Sequence, residues 1–575
     1  MVASINTTGQ CRASLRTGDR QRAQRRLWVI GPFLTLAASA AHAQSLPGAG
    51  ELLRDLRPAL PLTTPGGQSL PPEVPTETPA PAADASAERF TVAGFHIEGA
   101  VAFSPDVLAG LLDDLIGPQR SLATLDQATE RITRFYREHG YLLARAYLPS
   151  QQLEQGQVRL LVLEGRLGEI RLNNQSHMDS AALRQRLDRI GLGLPLAGTR
   201  LERELMLIND LPGVAVRSAL TPGGSVGSTD LEVQVADEQR VEGEVSLDNH
   251  GNRYTGAAHA NAALALNNPL GIGDQLQFNA ISSGSGFNYG RLAYQLPLGA
   301  AGATLNLSYA AMAYRVGADF SRLDAAGSAR LGTATLAYPL VRSRRLNVGV
   351  QLRLESKRFH DRIGLIDSRR DKRIDAATTS LTVEASDGWL GGGQSRALLG
   401  VTLGRLHLPA ADLADDQAGH RTDGRFAQGS LQATRLQALG SQWEGLLQLS
   451  AQYAAGNLDS AQKFSMGGPY AVRAYPAGEA PADDALMLNL ELRRSLPAQW
   501  QAFAFVDAAR ARLNHNPLAS DGANLRNLSG VGLGARWSPP QGYRLQATVA
   551  WRTGTAATAE PDKLPRFWLQ LGKRF

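Results

Sequence analysis

Asp507 is the residue whose setting most clearly asks for chemistry. In Gln499–Ala511, Trp500, Ala502, Ala504, Val506 and Ala508 make a small apolar face. Asp507 lies opposite, beside Phe503 and Phe505. A lone carboxylate on that face would gain from a guanidinium partner, which offers two parallel charge-assisted hydrogen bonds. Catalytic constellations are absent. No HExxH, GxSxG or paired-carboxylate site with supporting context stands out, and His177, His250 and His259 are scattered. Gly530-x-Gly532-x-Gly534 sits in an alternating segment with no helix after it, so it is not a dinucleotide fingerprint. The sequence therefore predicts no enzyme, no cofactor and no metal site.

The elements that must position Asp507 are strands with one greasy and one polar face. In Arg345–Glu355, Leu346, Val348, Val350, Leu352 and Leu354 oppose Asn347, Gly349, Gln351, Arg353 and Glu355. In Ala485–Arg493, Leu486, Leu488, Leu490 and Leu492 oppose Met487, Asn489, Glu491 and Arg493. In Tyr543–Thr553, Tyr543, Leu545, Ala547, Val549 and Trp551 form the apolar side. A period of two puts such sets on opposite sides of a sheet. A closed sheet with grease outside and polar groups inside can live in lipid. Sixteen strands are predicted, starting near Val241, Ala257, Gln275, Phe287, Thr304, Ser328, Arg345, Ile374, Gly393, Phe426, Trp443, Ala485, Gln499, Leu528, Tyr543 and Arg566. The barrel occupies 238–575. Its longest connection, 456–484, is expected to have a job. In the last strand Phe567, Leu569, Leu571 and Phe575 share a face with Lys573. Trp568 falls among polar residues and is taken as a cheap exception near the membrane interface.

Six arginines, Arg12 to Arg26, precede the apolar run Leu27–Ala41 and Ala41-His42-Ala43. This is the layout of a secretory signal peptide over 1–43. It holds the only cysteine, Cys11, and most of the chain's +6 charge, leaving +1. The basic pI thus gives no support to nucleic-acid binding, and the mature chain forms no disulfide. No apolar stretch is long enough for a transmembrane helix. Residues 44–87 predict a short helix over Gly50–Arg57, carrying Leu52, Leu53 and Leu56, and then a Pro-rich tether over Pro58–Ala87.

Two modules of order β-α-α-β-β follow, over 88–165 and 166–237. In the first, Phe90–Glu98 reads as a strand and Ser104-Pro105 opens a helix. A second helix begins at a capping box, Thr124-x-x-Gln127, with Leu125, Ala128, Ile132 and Phe135 on one face. Strands Leu142–Leu148 and Gln157–Glu164 close it. The second module repeats the order: strand Glu169–Asn173, a helix from about Ser180, a helix from the box Thr199-x-x-Glu202 to Asp210, then strands Val214–Leu220 and Asp230–Ala236. Their open edges could accept an extended peptide by strand addition.

The sharpest sequence marks lie in the long connection and the strands after it. Val472-Arg473-Ala474-Tyr475 is similar to a Val-Arg-Gly-Tyr/Phe motif, and Phe505-Val506-Asp507-Ala508-Ala509 to Phe-x-Asp-x-Gly. With Gly467-Gly468-Pro469 before them and Ser246–Asn252 at the start of the barrel, the chain resembles the two-partner secretion transporters of the hemolysin/hemagglutinin secretion-activation family. These belong to the outer-membrane assembly superfamily that carries POTRA domains. The resemblance implies a transmembrane β-barrel of about 16 antiparallel strands, preceded by two periplasmic α+β POTRA domains. It implies that Arg473, folded inward on its loop, partners Asp507, and that Phe575 is a barrel-assembly signal read by the assembly machinery. It further implies export of one large unfolded exoprotein (an adhesin, cytolysin or toxin), with or without activating it, across an outer membrane whose lipid surrounds the barrel. The N-terminal helix and inward loop would block the resting pore. The alanines at 474 and 509 replace glycine and put loop mobility in question by removing positive φ. The competing expectations are an outer-membrane assembly factor of the same superfamily and a passive diffusion channel.

Overall fold

The computed structural model describes residues 47–56, 89–225 and 227–575. The predicted leader and the Pro-rich segment Pro58–Ala87 lie outside the described residues. Helix α1 (Ala49–Asp55) is the first element, with Ala49 and Leu52 buried.

The first module contains β1 (Phe90–Val92), β2 (Gly94–Glu98), α2 (Pro105–Gly110), β3 (Gly117–Arg120), α3 (Leu122–Glu138), β4 (Arg145–Tyr147) and β5 (Gln157–Leu163). The stretch read as one strand, Phe90–Glu98, is broken at Ala93: β1 pairs β3, while β2 runs parallel to β5. Helix α3 starts earlier than Thr124. Ser121 is its N-cap, and Thr124 is the third helical residue, whose side chain bonds back to Ser121. The fourth core residue on its face is Tyr136 rather than Phe135. Burial raises the Tyr136 hydroxyl pKa, and the phenol donates to Glu164 Oε1 at 2.8 Å. That carboxylate also accepts from the amides of Val101 and Ala102, both at 2.7 Å, and so ties the α2 side of the module to α3.

The second module contains β6 (Arg166–Asn174), α4 (Ser180–Leu187), α5 (Gly198–Asn209), β7 (Val214–Pro222) and β8 (Ser228–Asp237), with sheet order β6-β8-β7. Thr199 does not cap α5, which begins at Gly198 after Ala197. Glu202 reaches outward instead, and its carboxylate accepts from the Arg344 amide at 2.8 Å. Arg342 adds two bonds to Asp210, and Arg203 donates to the Pro339 carbonyl at 2.9 Å. Tertiary contact with the barrel outranked local capping, because Arg344 sits in a barrel turn that would otherwise leave its amide to water.

The barrel strands are β9 (Val241–Asp248), β10 (His259–Asn267), β11 (Gln275–Ser282), β12 (Phe287–Leu298), β13 (Ala303–Arg315), β14 (Ala325–Arg342), β15 (Leu346–Ile363) and β16 (Ser368–Asp387). They continue as β17 (Gly393–His407), β18 (Gly424–Ala438), β19 (Trp443–Ala454), β20 (Asp484–Ser495), β21 (Trp500–Arg512), β22 (Leu525–Trp537), β23 (Tyr543–Arg552) and β24 (Arg566–Arg574). All sixteen pair antiparallel in chain order, and β24 closes on β9. The closing ladder joins Gln570–Arg574 to Glu244–Asp248, and Phe575 adds two backbone bonds to Gly243 at 2.9 and 3.0 Å. Leu352, Leu354, Leu399, Val401, Leu403, Phe567 and Leu569 are exposed on the outside, as a lipid-facing band requires. Strand β16 starts six residues before Ile374, at Ser368, because β14, β15 and β16 rise well above that band. Trp568 is not an interfacial exception. It is buried and faces the lumen.

Candidate functional site

The connection between β19 and β20 turns inward and packs inside the barrel. Met466, Val472, Tyr475 and Ala482 on it are fully buried. Two glycines make the turn possible. Gly468 has φ +120°, and a Cβ on Gly467 would stand 2.2 Å from the Pro476 carbonyl oxygen.

The tip delivers Arg473 onto Asp507. The Arg473 backbone amide donates to Asp507 Oδ2 at 3.0 Å, Nε to the same oxygen at 2.9 Å, and Nη2 to Oδ1 at 2.8 Å. Asn489 Nδ2 supplies Asp507 with a fourth bond at 2.8 Å and also holds the Ala471 carbonyl at 2.9 Å. Asp507 is completely buried, so every lone-pair direction has to be served. The remaining edge of the guanidinium, Nη1, reaches Glu491 at 2.7 Å, and its face lies 3.4 Å from the Phe505 ring centre. Burial alone would lower the Arg473 pKa; the bonds to Asp507 and Glu491 outweigh it and raise it. Arg473 is thus locked as a cation.

Glu491 is the residue that sequence reasoning left unassigned. It accepts from Arg493 Nε at 2.7 Å and Arg536 Nη1 at 2.8 Å as well as from Arg473. Arg536 in turn stacks 4.2 Å over Phe503. The alternation in Ala485–Arg493 already put Glu491 on the lumenal side, but pairing it with Asp507 needed the register of β20 on β21, where Asn489 opposes Asp507. Gly530, Gly532 and Gly534 also acquire a role. A Cβ on Gly532 would meet the Phe505 ring at 2.2 Å, one on Gly534 the Phe503 ring at 2.2 Å, and one on Gly530 the Ala474 Cβ at 2.5 Å. Strand β22 is stripped of side chains where the rings and the loop tip lie on it. Trp568 completes the tip: Nε1 donates to the Arg473 carbonyl at 2.7 Å.

The question raised by the two alanines resolves in backbone terms. Neither Ala474 nor Ala509 is among the residues with positive φ, so a Cβ costs no strain at either position. Tyr475 donates to the Thr555 carbonyl at 2.7 Å. Further along the loop, fully buried Glu479 collects Arg526 Nη2, the amides of Thr558 and Ala559, and Thr558 Oγ1. Burial raises the pKa of Asp483 and lowers that of its 3.3 Å partner Lys463.

Helix α1 lies in the same lumen. Its Ala49 amide donates to Asp361 Oδ1 at 3.0 Å, an oxygen that also accepts from Tyr314 at 2.7 Å. Arg54 donates to the Ser460 carbonyl at 3.0 Å, and Lys372 holds the neighbouring Asp459 at 2.8 Å. Gly50 packs so closely that an added Cβ would come 2.9 Å from the Ala461 Cβ. Helix and loop therefore form one filling. Burial raises the pKa of Glu51, which keeps part of its surface open to lumen water. Among the described residues no cluster of His, Cys, Asp and Glu is arranged to hold a metal ion.

Comparison with known proteins agrees with this architecture. Residues 227–537 match the family model described as haemolysin secretion/activation protein ShlB/FhaC/HecB, and residues 90–165 match the ShlB-type POTRA domain. The chain is 27% identical over 482 residues to the heme/hemopexin transporter protein HuxB of Haemophilus influenzae, covering 82% of this chain and 84% of that protein. It is 29% identical over 232 residues to the hemolysin transporter protein ShlB of Serratia marcescens, covering 39% of this chain and 40% of that one. The solved structure of CdiB from Escherichia coli superposes with a TM-score of 0.71 at 21% identity, covering 87% of this chain and 93% of that one. A family match over more than half of the sequence, on a closed sixteen-strand barrel, settles the assignment: the chain belongs to the haemolysin secretion/activation (ShlB/FhaC/HecB) family of two-partner secretion transporters of the outer membrane.

Proposed function

We propose that this transporter exports one large, unfolded client through its own lumen, and that α1 and the inward loop are the gate. The observation that carries the reading is the filled lumen. A resting conduit packed by a short helix held by hydrogen bonds and a loop held by ion pairs needs a specific event to open. A passive diffusion channel has no use for such a filling, nor for the two-module arm before it. In this reading the modules capture the client as an extended strand along an open sheet edge. The helix and loop then leave, the client threads outward, and its folding outside opposes return. Arg473 and Asp507, supported by Glu491, hold the loop at rest. Phe575, bonded to Gly243 at the closing seam, is the residue we assign to recognition by the barrel-assembly machinery. We read the lumen as a conduit without catalytic chemistry.

The client belongs to the adhesin, cytolysin or toxin class of secreted proteins. Similarity along most of the chain to a heme/hemopexin transporter makes a client engaged in heme/hemopexin handling the first to test. The experiment is co-expression with candidate clients, comparing the full chain with one lacking 88–237. Export lost while the barrel remains inserted supports the reading. Continued export without the modules overturns it, and a general loss of other outer-membrane proteins on depletion of the chain would favour an assembly factor.

A further inference from the structure

The outward face of β14–β18 carries a feature that export does not explain. The cross-strand row Ala334, Leu354, Ala377, Leu403 and Ala427 is apolar throughout. Immediately above it the side chains become cationic. Arg405 stands opposite Arg425, and one step higher Arg330, Arg358 and Arg373 are successive partners across three strands. These positions continue the lipid-facing stripes. On β17, Leu399, Val401, Leu403 and then Arg405 are all exposed, while Gly400 and Thr402 between them are buried. The barrel turns at the opposite end of the strands contact the second module, which is periplasmic in this family. The arginines therefore sit at the external boundary of the membrane.

Directly opposed side chains in a sheet have Cβ atoms about 4.5–5.5 Å apart, and like charges so placed destabilise the pair. The molecule itself neutralises only a part of the cluster. Asp375, which is also the neighbour of Arg405 on β16, binds Arg373 at 2.9 Å. The side chains of Arg330, Arg358, Arg405 and Arg425 make no ion pair or hydrogen bond among the described residues. Arg510 also faces outward on the external side, but its cross-strand neighbours are Leu486 and Asn527. Interfacial snorkelling alone explains a lone arginine. It does not explain five arginines across β14–β18 that share the single carboxylate of Asp375. A multiply charged anion does, because the guanidinium fork binds phosphate oxygens two at a time.

We propose that this patch is a docking site for the phosphorylated glycolipid of the outer leaflet, with Arg330, Arg358, Arg405 and Arg425 binding the lipid A phosphates and the apolar row below them receiving its acyl chains. The occupant is identified by placement: an apolar surface immediately under a cationic one, on the outside of the barrel, at the level of that lipid's headgroup. The site is separate from the lumenal gate and independent of the export reading.

The test is native mass spectrometry of the full mature chain in neutral detergent, titrated with lipid A, with a zwitterionic phospholipid and with inorganic phosphate. The wild type should hold lipid A and neither of the other two. The triple variant Arg330→Gln/Arg358→Gln/Arg405→Gln should bind it about a thousandfold more weakly, since each charge-assisted contact contributes roughly tenfold. Arg510→Gln should change affinity less than about twofold. Heat-modifiable migration of each variant verifies that the barrel is folded. Equal binding by wild type and triple variant overturns the proposal. So does equal weakening by Arg510→Gln, or binding of inorganic phosphate as tight as that of lipid A. Unchanged lipid A binding with impaired client export would assign the patch to a protein partner instead, and overturn it as well.

Discussion

Replacing Arg473 by alanine is the perturbation with the most calculable outcome. The change deletes two of the four hydrogen bonds to Asp507, those from Nε and Nη2, and leaves those from the Arg473 amide and Asn489. Glu491 loses one partner but keeps Arg493 and Arg536. Breaking a buried pair by removing one member costs about 3–5 kcal/mol, mostly from the charge left behind. Because Asp507 stays half-served and Glu491 remains paired, the lower figure applies. Docking of the loop should weaken by about 3 kcal/mol, on the order of a hundredfold in its equilibrium. Single-channel recording should show this as a large rise in open probability. Arg473→Lys keeps charge without the fork and should fall between. In a double-mutant cycle, Asp507→Ala on top of Arg473→Ala should add little, because either change removes the same interaction. Multiplicative effects of the two substitutions would refute the reasoning.

Further outcomes follow from other contacts. Glu479→Ala takes from Arg526 its carboxylate partner and orphans the Thr558 and Ala559 amides, and should make loop 455–483 cleavable by added protease in intact cells without dismantling the barrel. Gly532→Ala forces a Cβ against the Phe505 ring and the Val549 carbonyl oxygen; overpacking of about 1–3 kcal/mol should lower the temperature of the heat-modifiable transition. Trp568→Phe removes the bond to the Arg473 carbonyl and trims a buried ring, for a loss of at least about 1 kcal/mol and a gain in channel opening. The raised pKa of Glu51 means that docked α1 favours the protonated acid. Its contribution is complete below the free value near 4.5 and is lost as pH rises through the docked value. Channel opening should therefore increase from pH 4 upward in the wild type, and Glu51→Gln should flatten that component.

The barrel was legible because lipid on one side and water on the other impose a strict alternation, and most strand starts were readable within a few residues. The exception at β16 has a clear cause: above the membrane both faces are wet, so Ser368–Arg373 shows no greasy stripe. Asp507 could be placed on a face by alternation, whereas Arg473 had no periodic signal and was reachable only through the motif around it. Glu491 was visible as an inward acid, but no sequence rule gives the register that brings it to Arg473. Three glycines on one face of β22, together with Phe503 and Phe505 two strand positions apart, were a signal for ring packing that spacing alone left unread. Helix starts at Thr124 and Thr199 were misplaced because a Thr-x-x-Gln/Glu pattern recurs inside a helix as easily as at its cap.

The central claim is that the filling of the lumen leaves when a client passes. Cys11, the only native cysteine, lies in the predicted leader, so nitroxides can be placed cleanly at Leu53→Cys on α1 and at Gly332→Cys on the outer wall, where an added side chain meets open space. Pulsed electron resonance should give one narrow distance at rest and a longer, broader distribution when the client's secretion domain engages. A distribution that stays narrow and unchanged while export proceeds would contradict it.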